Sequence, residues 1–296
     1  MDNENRIEFY QNRSFGERLS AAADFLRQNW KVLYKNILIP AIPFVLLMAF
    51  LLPEYLKMAA SLSTGDTSAI LNAGVFSMLF FLVAICFSLY LYAMSGAIMQ
   101  LYDEGGLTEK TSWSDLSGKM FSNAGKIFLI GLAMFLLIVL IALAAFLIGD
   151  FLSSGMGRAV VVILVFVFII GLITAIPPLT MVIYPALFRG ASTWESIRKG
   201  FSVGFKNWGS TFGIVFIAGL MGAIVSYALG APLQIWILFN PGQAGVMLYG
   251  FTLLSSLASV LVTPFVFTFL AFQYFSITEK EEGVSLQSKI DEFDSL

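Results

Sequence analysis

Few side chains in this sequence could do acid–base or nucleophilic work, and acids cluster at the inner surface in two short polar runs. "LYDEGG" carries Asp103 and Glu104, and "TEKEEG" carries Glu279, Glu281 and Glu282. Carboxylates at a membrane surface can serve as general acids or bases. Here they read as solvated loop ends, and nothing in their spacing points to an active site. The 296 residues include no histidine. That removes histidine acid–base catalysis, serine–histidine nucleophiles of the intramembrane-protease type, haem ligation by histidine and most zinc sites. The single cysteine, Cys86, can form no intrachain disulfide and is expected simply to pack in an apolar span as a small hydrophobe. No enzyme activity, no cofactor and no metal are expected.

The remaining candidates work through backbone and shape. Proline frees carbonyls in a helix, and freed carbonyls can bind a ligand or hinge. "AIPPLTMVIYP" carries Pro177, Pro178 and Pro185, and "VTPFVFTF" carries Pro264. These prolines either serve packing alone or line a binding cavity or hinge. Small residues recur at every fourth position as Ala218, Gly222, Ser226 and Gly230, a ridge that lets another helix approach closely. That helix belongs to this chain or to a second one. Ser255, Ser259 and Thr263 form a similar row and are the internal alternative.

The elements that position these residues follow from composition. Hydrophobic residues make up 58% of the chain and charged residues 12%, against about 45–50% and about 25% in a soluble domain. A helix crosses a bilayer with about 20 apolar residues. Six segments qualify: Ile37–Leu52, Ala73–Met99, Ile127–Leu147, Ala159–Phe188, Ser210–Leu229 and Ala244–Phe272. None contains Asp, Glu, Lys or Arg, which disfavours a proton- or sodium-driven pump. All six are expected to be helical, because lipid leaves backbone groups no other partner and the alternation of barrel strands is missing. Most basic residues fall on one side: Arg6, Arg13, Arg18, Arg27, Lys31 and Lys35, then Lys110, Lys119 and Lys126, then Arg189, Arg198, Lys199 and Lys206, then Lys280 and Lys289. Only Lys57 and Arg158 fall opposite. Short loops with this bias place both termini in the cytoplasm. The polar start lacks the apolar core of a cleavable signal peptide.

A short signature occurs three times: "SFGE" at Ser14, "SWSD" at Ser112 and "STWE" at Ser192. Serine followed three residues later by an acid is the capping-box pattern that starts a helix. After the first copy Phe15, Leu19, Ala22, Leu26, Trp30 and Leu33 share a face, and after the third Trp194, Ile197, Phe201, Phe205 and Trp208 do. The second copy, with Trp113, Leu116, Met120 and Ala124, is weaker. Such helices suit the membrane surface, where Arg18, Arg27, Lys31, Lys199 and Lys206 would meet anionic lipid headgroups. The first and third copies register at a fixed offset, pairing Asn29 with Asn207 and Trp30 with Trp208. Each is followed by a shorter span and a longer one. The fold class expected is therefore all-α and polytopic: six transmembrane helices in three tandem units of an interfacial helix plus a transmembrane hairpin. The units run at about 14–106, 112–190 and 192–282 within a single membrane domain, 1–282. Residues 283–296 read as a disordered cytoplasmic tail, with Val284, Leu286, Ile290 and Phe293 as an alternative docking motif.

The stretches "FGERLSAAADFLRQNWKVLYK" and "YPALFRGASTWESIRKGFSVGFKNWG" resemble bacterial integral membrane proteins grouped as glycerophosphodiester phosphodiesterase membrane-domain-like. The resemblance implies a six-span membrane region in the bacterial cytoplasmic membrane, without the catalytic domain to which it is fused in the proteins that named the family.

Two functions remain. One is a non-enzymatic scaffold or accessory subunit whose partners are membrane lipids and either another membrane protein or a second copy. The other is transport or handling of an uncharged or amphipathic molecule, not proton-coupled. No nucleic-acid partner is expected.

Overall fold

In a computed structural model, residues 6–61, 67–153, 158–240 and 244–285 are described, and they are helical with no strand among them. The helices are α1 (Phe15–Ser61), α2 (Thr67–Asp103), α3 (Trp113–Ser153), α4 (Arg158–Met181), α5 (Tyr184–Phe188), α6 (Thr193–Lys206), α7 (Trp208–Phe239) and α8 (Ala244–Glu282). Among the described residues six stretches are long and apolar enough to cross a membrane: Phe15–Leu56, Gly74–Asp103, Trp113–Ala144, Phe166–Phe188, Trp208–Trp236 and Met247–Glu282. The chain is thus an all-α, multi-pass membrane protein, and each expected span lies on one of these stretches. Their large apolar side chains face outward, as at Phe135, Leu140, Phe166 and Ile224.

The amphipathic segments do not all behave as separate surface helices. In the first and second copies the segment and the following span form one helix, α1 and α3. Only in the third does the chain break, at Asn207 between α6 and α7. Asn29 and Asn207 make the same side-chain bond, each amide donating to the carbonyl four residues earlier, Phe25 O at 2.9 Å and Val203 O at 3.2 Å. The helix runs on through the first and ends at the second. The caps differ too. At Ser112 the acid reaches back, with the Ser112 N–H donating to Asp115 Oδ2 at 2.8 Å. At Ser192 the serine acts instead, accepting from Glu195 N–H at 3.4 Å.

The chain divides into two compact units. The first takes 1–8, 16–124 and 216–269. Here α1 buries a single face over many turns, from Ala22 and Leu26 through Leu33 and Ile37 to Val45 and Ala49, at the three- and four-residue spacing of one helix side. The face lies antiparallel along α2: Phe25 meets Tyr102 edge-on at 5.0 Å, Phe44 stacks on Tyr90 at 5.9 Å, and Tyr55 stacks on Phe80 at 5.6 Å. Prolines at 40 and 43 do not end α1. The carbonyl that Pro40 leaves without its helical N–H is Asn36 O, and the Tyr90 hydroxyl fills the gap at 2.7 Å. At the far end of α2, Gly105 takes φ +76°, a conformation closed to most side chains, and Gly106 N–H bonds to Leu101 O to finish the helix. Cys86 is exposed rather than packed, because its position on α2 faces away from the α1 seam.

The second unit takes 9–15, 125–215 and 270–296. Its α8 portion is buried on every side from Leu270 to Thr278. Phe9 stacks on Phe275 at 4.8 Å, and Tyr184 and Phe188 flank the same aromatic column. Arg13 N–H donates to Ser276 Oγ at 3.0 Å, and that hydroxyl lies 3.2 Å from Arg13 O. Of the expected tail only 283–285 are described; the Ser285 N–H turns back to Glu279 Oε2 at 2.9 Å. Leu286, Lys289, Ile290 and Phe293 lie outside the described residues, as do the side chains of Lys57 and Arg158.

Candidate functional site

The expected proline break in the fourth span is real, and side chains from three other helices bridge it. Pro177 and Pro178 are buried in the last turn of α4, and the helix stops at Met181 before restarting as α5 with Pro185 in its first turn. Pro178 deprives Thr174 O of its helical donor. The Trp208 indole N–H supplies one at 2.9 Å. Across the break, the bond that would join Ala186 N–H to Val182 O is replaced by a relay through one hydroxyl. Ala186 N–H donates to Ser196 Oγ, and Ser196 Oγ donates to Val182 O, each at 2.8 Å. Lys126 Nζ caps Ala186 O at 3.2 Å. Thr174 O, Val182 O and both backbone groups of Ala186 thus find partners within the protein, as lipid surroundings favour.

Close approach makes the relay possible. α6 turns Ser196, Ile197, Gly200 and Gly204 inward and leaves Trp194 and Phe205 outward. A methyl group at Gly200 would lie 2.4 Å from Val182 Cα, and one at Gly204 would lie 2.3 Å from Pro178 Cα. Backbones this near tolerate only glycine. The expected aromatic stripe is split as a result: Ile197 is buried, while Trp194 stands 71% exposed and Phe205 54% exposed. Ser196, Gly200 and Gly204 were not singled out from sequence, although "SIRKGFSVG" carries the four-residue spacing.

Pro264 does not interrupt its span. It is buried inside continuous α8, where Thr268 Oγ1 donates to Pro264 O at 2.7 Å. Beside it, in the first unit, the row Ser255, Ser259 and Thr263 lines a cavity of about 400 Å³ instead of packing against the α7 ridge. Thr252 and Ser256 of α8, Ser88 and Tyr92 of α2, and Met48 and Leu52 of α1 complete much of the wall. No charged side chain lines it. One turn from Thr252, Tyr249 donates its phenolic hydrogen to Glu54 Oε1 at 2.6 Å. Glu54 follows Leu52 on α1, so this pair bridges the same two helices beyond the cavity.

The ridge finds its partner inside the chain. Ala218 is buried, a methyl at Gly222 would meet Val262 Cγ1 of α8 at 3.0 Å, and one at Gly230 would meet Phe251 at 3.3 Å. Ser226 is exposed. Ala218 and Gly222 also line a second, apolar cavity of about 330 Å³ with Leu261, Val262, Phe265 and Phe269. Tyr34 closes it by donating to Leu261 O at 3.0 Å.

The basic residues expected at headgroups carry acidic neighbours. Arg27 pairs with Asp24 at 3.4 Å, Lys31 with Glu109 at 3.4 Å, Lys199 with Glu195 at 3.1 Å and Lys206 with Glu281 at 3.7 Å. Arg18 is half-buried. Two other acids of the polar runs are held similarly, Glu104 by Lys119 at 2.6 Å and Glu282 by Arg189 at 3.1 Å. Among the described residues no three His, Cys, Asp or Glu side chains converge as a metal would need. The chain was compared with protein-family models, curated proteins and solved structures, and none matches it.

Proposed function

We propose that this integral membrane protein binds and handles an uncharged or amphipathic molecule, without catalysis and without proton coupling. The observation that carries this reading is the hydroxyl-lined cavity of about 400 Å³ among membrane-spanning helices of the first unit. Its volume lies in the range of small-molecule pockets, about 300–1,000 Å³. Its wall has hydrogen-bonding groups and apolar side chains but no charge to hold an ion. The basic residues at the helix ends support a cytoplasmic position of both termini. Native mass spectrometry of the full chain released from mild detergent tests the reading. One small molecule or lipid should be retained per chain, and Ser259→Leu, which fills the cavity, should lose it. Wild-type protein that arrives empty in every detergent tried would sink the idea.

A scaffold or accessory role is the second reading, favoured by α6. With its small residues turned inward, that helix leaves Trp194 and Phe205 exposed beside Arg198. A stoichiometric second protein or a homo-oligomer in the same spectra would support this role, and it would contact lipids through the same face.

A further inference from the structure

Resting on the handling reading, we infer that the hydroxyl-lined cavity selects a neutral amphiphile whose polar end is a hydroxyl group, able both to donate and to accept hydrogen bonds.

The selectivity follows from where the wall spends its hydrogens. Thr252 Oγ1 donates to Leu248 O at 2.7 Å, Ser255 Oγ to Thr252 O at 3.0 Å and Ser259 Oγ to Ser255 O at 3.1 Å. A hydroxyl has one hydrogen and two lone pairs. These three groups, tied to their own helix, therefore offer the cavity only acceptor lone pairs. The hydroxyls of Ser88, Tyr92, Ser256 and Thr263 have no hydrogen-bond partner among the described residues and can still donate. The wall thus presents fixed acceptors on α8 and free donors on α2 and α8. An ester or ether satisfies only the donors. A phosphate or carboxylate offers acceptors alone and finds no Lys or Arg in the wall to offset its desolvation. An alcohol meets both sets. Met48, Leu52, Phe87 and Leu91 supply the apolar wall for a chain attached to that alcohol. From Thr252 to Thr263 the row is about 16 Å long at 1.5 Å per residue, enough for a headgroup with more than one hydroxyl.

The test uses the full chain in nanodiscs and three photoreactive twelve-carbon probes: the alcohol, its O-methyl ether and the phosphate ester. Labelled residues are read by peptide mass spectrometry. The alcohol is expected to label Leu52, Phe87 or Leu91, and the ether and phosphate to label them about fivefold less, the order of one lost hydrogen bond. The combined variant Thr252→Val, Ser255→Ala, Ser259→Ala, which removes the acceptors, should bring alcohol labelling down to the ether's level. Should that variant fail to fold, the comparison of alcohol with ether on the unaltered chain decides alone. Equal labelling by alcohol and ether, or by alcohol and phosphate, overturns the hydroxyl selectivity and leaves the handling reading standing. Labelling of none of these residues by any probe overturns both.

Discussion

Two prolines in this chain raise the same physical problem and have different outcomes. Pro40 in α1 and Pro178 in α4 each leave a carbonyl without its helical donor. In each case an aromatic side chain from another segment supplies one, the Tyr90 hydroxyl to Asn36 O and the Trp208 indole to Thr174 O. α1 continues for another five turns, whereas α4 stops within one. The difference lies in what approaches next. Along α1, α2 presents bulky side chains that pack against an intact helix. Along α4, the glycine face of α6 comes to backbone contact, and Ser196 takes the place of a helical bond. Proline permits a break; a neighbour small enough and polar enough completes it.

The largest perturbation should come from removing that closeness. Gly204→Val drives a side chain into Pro178 and is expected to cost about 3 kcal/mol or to abolish folded protein, the upper end for overpacking. Gly131→Val on α3, where nothing lies within 4 Å of the added carbon, should cost far less in the same SDS-unfolding assay in mixed micelles. Equal losses would remove the contrast. Next, Ser196→Ala leaves Ala186 N–H and Val182 O without partners and should cost about 2 kcal/mol. If its cost were near zero, the relay would not be what holds the break.

Smaller effects sharpen the comparison of the two prolines. Tyr90→Phe and Trp208→Phe should each cost about 1 kcal/mol, in line with hydrogen bonds measured between membrane helices. The Trp208→Phe cost should fall when Pro178→Ala restores an N–H to Thr174 O, a non-additivity read from a double-mutant cycle. Additive costs would mean that Trp208 acts by packing alone. Smallest of all, Lys31→Gln and Lys206→Gln break exposed ion pairs and should shift stability by no more than about 0.5 kcal/mol.

The six spans were legible because their uninterrupted apolar length leaves a membrane as the only solvent that suits them. The run from Ser14 through α1 was not legible as one helix. Its prolines argue locally for a stop, and the group that offsets the first of them, Tyr90, lies 54 residues from Asn36. On α7 the small-residue ridge stood out against long apolar neighbours. The equivalent spacing at Ser196, Gly200 and Gly204 was masked by the neighbouring aromatic residues, whose stripe is the stronger pattern in the same segment. The row Ser255, Ser259 and Thr263 was visible as a pattern, but its role was not, because the opposing Ser88 and Tyr92 depend on a helix register that no local rule sets.

The clasp between Arg13 and Ser276 joins residues 263 positions apart, within a unit that also needs Phe9 against Phe275. This sets an order of events during synthesis. The segment around Phe9 and Arg13 is made before α8, and it has no place to settle until α8 has left the ribosome and entered the membrane. Throughout translation Phe9 and Arg13 remain open to chaperones and proteases, and a chain stopped before residue 270 would keep them so permanently.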